Sequence, residues 1–242
     1  MSDQQGGRGI LFIISAPSGS GKSTLVNQLR SLVPNLEFSI SYTTRAPRGS
    51  ELEGREYYFT TREKFESMMN ARQFLEHAQV FGNYYGTARR SLIEAEEHGK
   101  DLLLDIDVQG AAQVRKEVPE AVSIFVLPPN PETLGRRLRN RSRAEGVVSE
   151  EVIERRLAKA RQEIEKFRQY SYILVNDVLD QAVEELSAIV ISERARRSGD
   201  CNGADVRKLI ELADKCRQAN AIERLRPVLI SFGLPDGAAG RT

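Results

Sequence analysis

ILFIISAPSGSGKSTLVNQLRSLV, residues 10–33, is the stretch of the 242-residue chain that decides its fold. Residues 10–14 form a short apolar run rich in β-branched side chains, which is typical of a strand buried on both faces. Residues 22–33 then have the pattern of a helix, which Pro34 ends. A glycine- and serine-rich loop joins the two, and this order of strand, loop and helix is the context in which such a loop binds phosphate.

The loop itself, residues 16–23, reads Ala-Pro-Ser-Gly-Ser-Gly-Lys-Ser and matches the Walker A pattern except that alanine replaces the first glycine. Gly19 and Gly21 allow backbone N–H groups to converge on phosphate oxygens, and the helix N-terminus adds its positive dipole end. Lys22 can reach the β- and γ-phosphates of a nucleotide, and the Ser23 hydroxyl can ligate Mg²⁺. The sequence therefore predicts a site for a nucleoside triphosphate.

The rest of the chain alternates apolar runs with helical patterns. Strands are predicted at 101–106, 121–127 and 172–175, and helices at 89–98, 108–116, 131–141, 149–169 and 178–196. This alternation predicts an α/β fold, a parallel sheet covered by helices on both faces.

Residues 38–88 interrupt the alternation with short alternating segments, turn residues and one predicted helix at 62–71. Thr60 and Glu63 have the spacing of a capping box for that helix. We expect a small, mainly antiparallel insert that carries its own part of the site.

The composition excludes several classes of protein. The 35 Lys and Arg residues nearly balance the 34 Asp and Glu residues, and a net charge of +1 argues against a nucleic-acid coat or a binder of acidic membranes. Cys201 and Cys216 are too few for a disulfide framework or a set of four metal ligands. The N-terminus lacks the apolar run of a signal peptide, so we expect a cytoplasmic protein.

Two regions in the C-terminal half differ from the average composition of the chain. Residues 136–168 contain 11 Lys and Arg against 6 Asp and Glu, a local charge of +5. Residues 198–203 resemble a linker, and apolar residues at helical spacing follow between 209 and 225. Pro227 and the glycines at 237 and 240 predict a fraying end.

A short motif raises a GTPase as one interpretation. Asp107-Val108-Gln109-Gly110 fits the Asp-x-x-Gly pattern of that class, but the base-reading pattern Asn-Lys-x-Asp occurs nowhere in the chain. A four-residue motif matches by chance often, so the GTPase interpretation is not favoured.

The segments that decide between nucleotide-binding classes lie mostly in the insert. They are SYTTRAPR (41–48), GREY (54–57), FLE (74–76), GNYYGT (82–87), DIDVQG (105–110) and ND (176–177). With the phosphate loop, this ordered series resembles the guanylate kinases from about residue 9 to residue 197.

The resemblance implies an enzyme that transfers the γ-phosphoryl group of ATP to GMP with Mg²⁺. It implies a kinase domain over 9–197 with a GMP-binding insert at about 38–88 and a mobile lid at about 136–160. Residues 198–242 fall outside the resemblance, and their pattern predicts an extension of unknown function, helical or partly disordered. The alternatives are a non-catalytic, guanylate-kinase-like module that binds protein, against which the intact loop argues, and a kinase for another monophosphate.

Guanine chemistry argues for GMP independently of the resemblance. Guanine presents two adjacent donors, N1–H and N2–H₂, to a carboxylate such as Glu76, and its O6 accepts from a hydroxyl such as Ser41 or Thr87. The resemblance places Arg45, Arg48, Tyr57 and Tyr85 on the GMP phosphate and Asp107 close to the base. The predicted GMP site is therefore Ser41, Arg45, Arg48, Tyr57, Glu76, Tyr85, Thr87 and Asp107.

The resemblance also supplies the expected ATP site and catalytic set. The ATP-binding residues are Ala16, Pro17, Ser18, Gly19, Ser20, Gly21, Lys22, Ser23, Thr24 and Asn176. The catalytic residues are Lys22, Arg45, Arg137, Arg141 and Arg156. Ser23 and Asp105 are expected to hold Mg²⁺, partly through water, although the division of roles between Asp105 and Asp107 stays open. The expected partners are ATP and GMP and possible further copies of the chain, with no nucleic acid and no membrane.

Overall fold

The computed structural model describes residues 9–144 and 149–235, which form two compact units. The first unit is Met1–Ile14 with Asn35–Val122, and the second is Ser15–Pro34 with Ser123–Thr242. The predicted boundary at 197/198 falls inside the second unit.

The elements follow in chain order. They are β1 (Leu11–Ser15), α1 (Lys22–Leu32), β2 (Leu36–Phe38), β3 (Tyr42–Thr43), β4 (Tyr58–Phe59), α2 (Arg62–Asn70), β5 (Phe74–Val80), β6 (Asn83–Ala88), α3 (Arg89–Glu97), β7 (Asp101–Asp105), α4 (Val108–Glu117), β8 (Val122–Leu127), α5 (Pro131–Ala144), α6 (Glu150–Ile164), a 3-10 turn (Glu165–Gln169), β9 (Tyr172–Val175), α7 (Leu179–Ser198), α8 (Ala204–Cys216) and α9 (Gln218–Ser231).

Five of the strands form parallel ladders within the two units. In the first unit β7 pairs in parallel with both β1 and β2, and in the second unit β8 pairs in parallel with β9. All five residues of β1 and all six of β8 are buried, as their continuous apolar runs require. The predicted α/β class with a parallel sheet is confirmed.

The insert forms a second sheet within the first unit, in the order β4-β3-β6-β5. The β5/β6 and β3/β6 ladders are antiparallel and the β3/β4 ladder is parallel, so the sheet is mainly antiparallel, as predicted. The rings of Phe65 and Phe74 stack at a centroid distance of 4.4 Å, and Phe65 also stacks on Tyr84 at 5.2 Å. This aromatic stack gives the small sheet a core of its own.

The predicted capping box of α2 is wrong by one residue. The cap is Thr61 and not Thr60, and its hydroxyl accepts a hydrogen bond from the Lys64 N–H at 3.2 Å. Two adjacent threonines make the register ambiguous in the sequence, and the backbone of Thr60 is already used, since its N–H donates to the Thr43 carbonyl.

The C-terminal extension packs against the second unit as two helices, α8 and α9. The Gln218 N–H donates to the Ser171 carbonyl at 2.9 Å, and the Arg224 guanidinium donates to the Ile173 carbonyl at 3.1 Å. Arg217 forms an antiparallel bridge with Tyr172. The extension therefore covers backbone groups of the edge strand β9, which an open edge would leave unpaired.

Helix α7 is buried on several faces, and the extension packs against one of them. Its consecutive residues Ala188, Ile189 and Val190 are each 0% exposed, although a helix turns by about 100° per residue. The helix packs on α1, α8 and β9. A helix buried on several faces needs partners on each of them, and α8 is one of these partners.

A polar network joins the extension to β9 and α7. The Tyr172 hydroxyl donates to Glu193, which also accepts from Arg217 at 3.1 Å, while Asp214 accepts from Arg196 at 2.7 Å. Burial raises the pKa of Tyr172, and the hydrogen bond to Glu193 raises it further. The phenol therefore stays protonated and keeps donating.

The sequence expectation that α9 frays at Pro227 is wrong, because the helix continues to Ser231 with the proline inside it. Leu225 and Leu229, on either side of the proline, are each 0% exposed, and their burial offsets the lost backbone hydrogen bond. The fraying predicted at 237–240 lies outside the described residues. Among residues 9–144 and 149–235, none of the helices has the length and apolar character that crossing a bilayer would need.

Leu225→Ala tests whether the extension belongs to the fold. We expect it to lower the free energy of unfolding by about 2–5 kcal/mol, because the leucine is fully buried. Ile230→Ala is the matched control in the same helix, since Ile230 is 57% exposed, and should change stability by only about 0.5 kcal/mol. Equilibrium unfolding in urea measures both, and equal small losses would show that the extension is not docked.

Candidate functional site

The phosphate loop lies in the second unit, between the end of β1 and the start of α1. Gly19 and Gly21 both have positive φ, at 90° and 87°, and Gly21 is the N-cap residue of α1. The Ser20 N–H closes a turn onto the Pro17 carbonyl at 3.1 Å. Lys22 opens the helix, so the predicted strand, loop and helix are all present.

Hydrogen bonds to the carbonyl oxygen of Ser20 anchor this loop. This oxygen accepts hydrogen bonds from Asn176 Nδ2 at 2.7 Å and from Arg137 Nη1 at 3.2 Å. Arg137 Nη2 donates to the Asn176 carbonyl at 3.2 Å. Asn176 is 3% exposed, so its amide is a fixed support rather than a surface group.

Gly21 has no room for a side chain. A Cβ atom at this position would lie 2.3 Å from Asn176 Nδ2, closer than any normal contact. Glycine is therefore required here for two reasons, the positive φ and the close approach of Asn176.

The predicted lid, residues 136–160, includes parts of α5 and α6 of the same unit. Burial lowers the pKa of Arg137, and repulsion from Arg136 lowers it further, although a guanidinium stays charged at any physiological pH. Arg156 of α6 donates to Ser142 Oγ of α5 at 3.1 Å and so joins the two helices. Arg141 lies exposed one helical turn after Arg137. Residues 145–148, where the sequence leaves the register of the lid open, lie outside the described residues.

A buried carboxylate defines the candidate base-binding part of the first unit. Glu76 on β5 is 4% exposed and Thr87 on β6 is 0% exposed. The two are cross-strand partners, and Thr87 Oγ1 donates to Glu76 Oε1 at 2.7 Å. This bond uses the single hydroxyl proton of Thr87, so in this arrangement Thr87 orients Glu76.

Gly110 has a packing role that the Asp-x-x-Gly pattern alone does not reveal. A Cβ atom on Gly110 would lie 2.2 Å from Glu76 Oε2, so only glycine lets α4 approach this carboxylate. Asp107 is the N-cap of α4 and accepts from the Gln109 and Gly110 N–H groups at 3.1 and 2.8 Å. The Asp-x-x-Gly motif thus fixes a helix start against Glu76.

Arg45 is the centre of a second cluster in the first unit. It is 9% exposed, and its guanidinium donates to Tyr85 Oη at 3.2 Å and to Glu51 Oε1 at 2.9 Å. The guanidinium also lies over the Tyr57 ring, 5.3 Å from its centroid. Burial acts to lower the pKa of Arg45, but the hydrogen bonds that it donates to Glu51 and Tyr85 raise it above its ordinary value. The structure thus brings together three of the residues predicted for the GMP phosphate.

The remaining predicted residues of this unit are less enclosed. The Arg48 side chain is exposed, and Ser41 is half-buried with its carbonyl accepting from the Tyr58 N–H at 2.9 Å. Asp105 is half-buried at the end of β7. Ser23 and Thr24, in the second unit, are exposed on the first turn of α1.

A parallel α/β sheet with a phosphate loop between its first strand and first helix defines the class of phosphate-loop nucleotide-binding proteins. The family model for guanylate kinase matches residues 8–193. The chain belongs to the guanylate kinase family.

Individual relatives agree with the family match. The chain is 58% identical over 224 residues to a guanylate kinase of Koribacter versatilis, a match that covers 93% of this chain and 96% of the relative. It is 48% identical over 188 residues to one of Geobacter metallireducens, covering 78% and 91%. Among solved structures, it is similar to a guanylate kinase from Anaplasma phagocytophilum, with a TM-score of 0.64 at 35% identity over 84% of this chain and 94% of that one.

Gly21→Ala tests the packing behind the phosphate loop. Alanine in the left-handed region costs about 1–2 kcal/mol, and its Cβ would displace Asn176 as well, so we expect ATP affinity to fall at least tenfold. Gly203→Ala is the control, because its φ is −65° and its Cβ would meet Val206 at an ordinary 3.5 Å. Titration with a fluorescent ATP analogue measures both, and unchanged affinity in Gly21→Ala would contradict the packing.

Proposed function

We propose that the chain transfers the γ-phosphoryl group of ATP to GMP, giving ADP and GDP. Membership of the guanylate kinase family supports this reaction. The observation that carries the choice of GMP is the buried carboxylate of Glu76, which Thr87 orients and Gly110 leaves room for. The intact phosphate loop disfavours the alternative of a non-catalytic, protein-binding module.

The Glu76 carboxylate suits guanine because it only accepts hydrogen bonds. Guanine offers N1–H and N2–H₂ as adjacent donors, whereas adenine has an acceptor at N1, which would face an acceptor-only carboxylate. A site with such a polar group discriminates by about 10⁴-fold against a base that cannot pair with it. Because the Thr87 proton is used on Glu76, we propose the Ser41 hydroxyl as the donor to O6.

The GMP phosphate is proposed to bind the Arg45 cluster. Guanidinium and phenol groups donate to phosphate oxygens, and Arg45, Tyr57 and Tyr85 already contact one another. Arg48 lies exposed on the same loop and can add a second guanidinium. Asp107 is proposed to lie beside the base, where its cap on α4 supports the position of Gly110.

The ATP phosphates are proposed to bind the phosphate loop of the second unit. The backbone N–H groups of the loop and the N-terminus of α1 suit the β- and γ-phosphates, and Lys22 adds a positive charge. Phosphoryl transfer needs positioning and neutralisation of spreading negative charge more than it needs an acid or a base. Arg137, Arg141 and Arg156 are proposed to supply that charge from the lid.

Mg²⁺ is proposed as the metal that accompanies ATP, where it supplies positive charge to the phosphate oxygens. In residues 9–144 and 149–235, the structure has no group of three or more His, Cys, Asp or Glu side chains that could hold a metal ion. Mg²⁺ binds mainly through nucleotide phosphates and water, with one or two protein oxygens. The exposed Ser23 hydroxyl and the Asp105 carboxylate have the hard oxygen donors that Mg²⁺ prefers.

The wider assignments are also proposals. We propose a cytoplasmic enzyme of purine nucleotide metabolism, whose partners are its substrates and further copies of the chain, without nucleic acid or membrane. The kinase domain is proposed as 9–197, and the extension after residue 197 as a structural part of the second unit, because α8 and α9 cover β9 and α7.

A coupled assay of ADP formation tests the reaction. ATP is supplied with GMP, AMP, UMP or CMP in turn, and we expect GMP-dependent ADP with little turnover of the other three. Lys22→Met should abolish turnover while GMP binding survives. The absence of GMP-dependent ADP in the wild-type protein would refute the proposed function.

Glu76→Gln tests the recognition of guanine in the same assay. Glutamine keeps the size of the side chain but loses one acceptor, so we expect kcat/KM for GMP to fall by about 100-fold or more and the preference for GMP over AMP to narrow. An unchanged ratio of GMP to AMP turnover would rule out Glu76 as the residue that reads the base.

A further inference from the structure

The Arg45 cluster contains an acidic residue, Glu51, that the substrate assignments leave without a role. One carboxylate oxygen of Glu51 accepts from Arg45 Nη2 at 2.9 Å, and the other accepts from the Arg48 N–H at 2.8 Å. The Glu51 N–H in turn donates to the Arg48 carbonyl at 2.9 Å. A single side chain therefore fixes the guanidinium of Arg45 and the backbone of Arg48.

The position of Arg45 depends on more than its own loop. Its backbone N–H donates to Thr43 Oγ1 at 3.1 Å, which fixes the start of the side chain on the insert sheet. At the other end, Nε donates to Tyr85 Oη, Nη1 to the Ala46 carbonyl and Nη2 to Glu51. These bonds use one hydrogen on each nitrogen, and Nη1 and Nη2 each carry a second hydrogen that can donate to a phosphate oxygen.

The electrostatics favour a permanent ion pair between Glu51 and Arg45. Burial acts to raise the pKa of Glu51, but the hydrogen bonds from Arg45 and from the Arg48 N–H lower it below its ordinary value. Glu51 therefore stays ionised at neutral pH. A guanidinium that is only 9% exposed needs such a partner before any anionic substrate arrives.

We propose that Glu51 is a positioning residue for the GMP phosphate, which holds Arg45 and Arg48 in the geometry that receives it. The proposal rests on the proposed function, because it takes Arg45 and Arg48 as phosphate ligands. Glu51 acts through these two arginines and does not touch the substrate. Its loss weakens recognition of the phosphate and leaves recognition of the guanine base unchanged.

The same loop offers a closely matched control, Glu56. Glu56 Oε1 accepts from Arg55 Nε at 2.6 Å and Glu56 Oε2 accepts from the Leu52 N–H at 2.8 Å. Glu56 thus makes the same two kinds of hydrogen bond as Glu51, one to an arginine and one to a backbone N–H. Its arginine is not among the residues proposed for GMP.

The test compares the affinities of GMP and guanosine, which differ only in the phosphate, in the wild-type protein, Glu51→Gln and Glu56→Gln. Glutamine has one acceptor oxygen in place of two, so Glu51→Gln can keep at most one of the hydrogen bonds from Arg45 and the Arg48 N–H. In Glu51→Gln we expect GMP affinity to fall about tenfold or more, guanosine affinity to stay within about twofold, and KM for ATP to stay unchanged. Glu56→Gln should leave all three values near those of the wild type.

Several outcomes would overturn the proposal. Equal losses of GMP and guanosine affinity would mean that Glu51 only supports the fold, and tighter GMP binding would mean that its carboxylate competes with the phosphate. An effect of equal size in Glu56→Gln would mean that the loop responds to any lost carboxylate. If the wild-type protein binds GMP but makes no GMP-dependent ADP, only the proposed reaction is refuted, because the ratio of GMP affinity to guanosine affinity still tests the role of Glu51. If the wild-type protein does not bind GMP, the proposed reaction and the role of Glu51 are both overturned.

Discussion

The carbonyl oxygen of Ser20 is the group on which the second unit depends. A buried backbone carbonyl must be hydrogen-bonded, and this one is paired with the amide of Asn176 and the guanidinium of Arg137. Asn176 directly follows the edge strand β9, and Arg137 lies on α5, so the shape of the phosphate loop is set by elements more than 100 residues away in sequence. The C-terminal helices contribute to this support indirectly, because Gln218 and Arg224 cover β9, the strand that Asn176 follows.

The first unit meets the same requirement with charged groups. Glu76 and Arg45 are both nearly buried, and burying a charge is costly unless hydrogen bonds or an opposite charge compensate it. Thr87 provides the compensation for Glu76, and Glu51 with Tyr85 provides it for Arg45. The proposed GMP ligands are therefore held in place before the substrate binds, which reduces the ordering cost of binding.

The sequence predicted what local patterns determine and missed what tertiary contacts determine. The strand at 172–175 was predicted with its observed bounds, because a run of apolar residues between polar ones marks a buried strand. The role of Gly110 was missed because it depends on the packing of α4 against Glu76 of β5. The role of Glu51 was missed because it depends on how the loop after β3 folds back onto Arg45. An acid three residues after Arg48 was the one available signal for Glu51. The helix through Pro227 was missed because the packing of α9 outweighs a local helix breaker.

We expect Asn176 to support ATP binding through the phosphate loop and to have no part in binding GMP. Calorimetric titration of Asn176→Ala with a non-hydrolysable ATP analogue, inorganic triphosphate and GMP tests this expectation. The loss of a hydrogen bond to the buried Ser20 carbonyl predicts that the affinities for the ATP analogue and for triphosphate both fall about tenfold, with GMP affinity unchanged. A loss confined to the ATP analogue would place Asn176 on the adenine instead, and unchanged affinities or an equal loss for GMP would contradict the account.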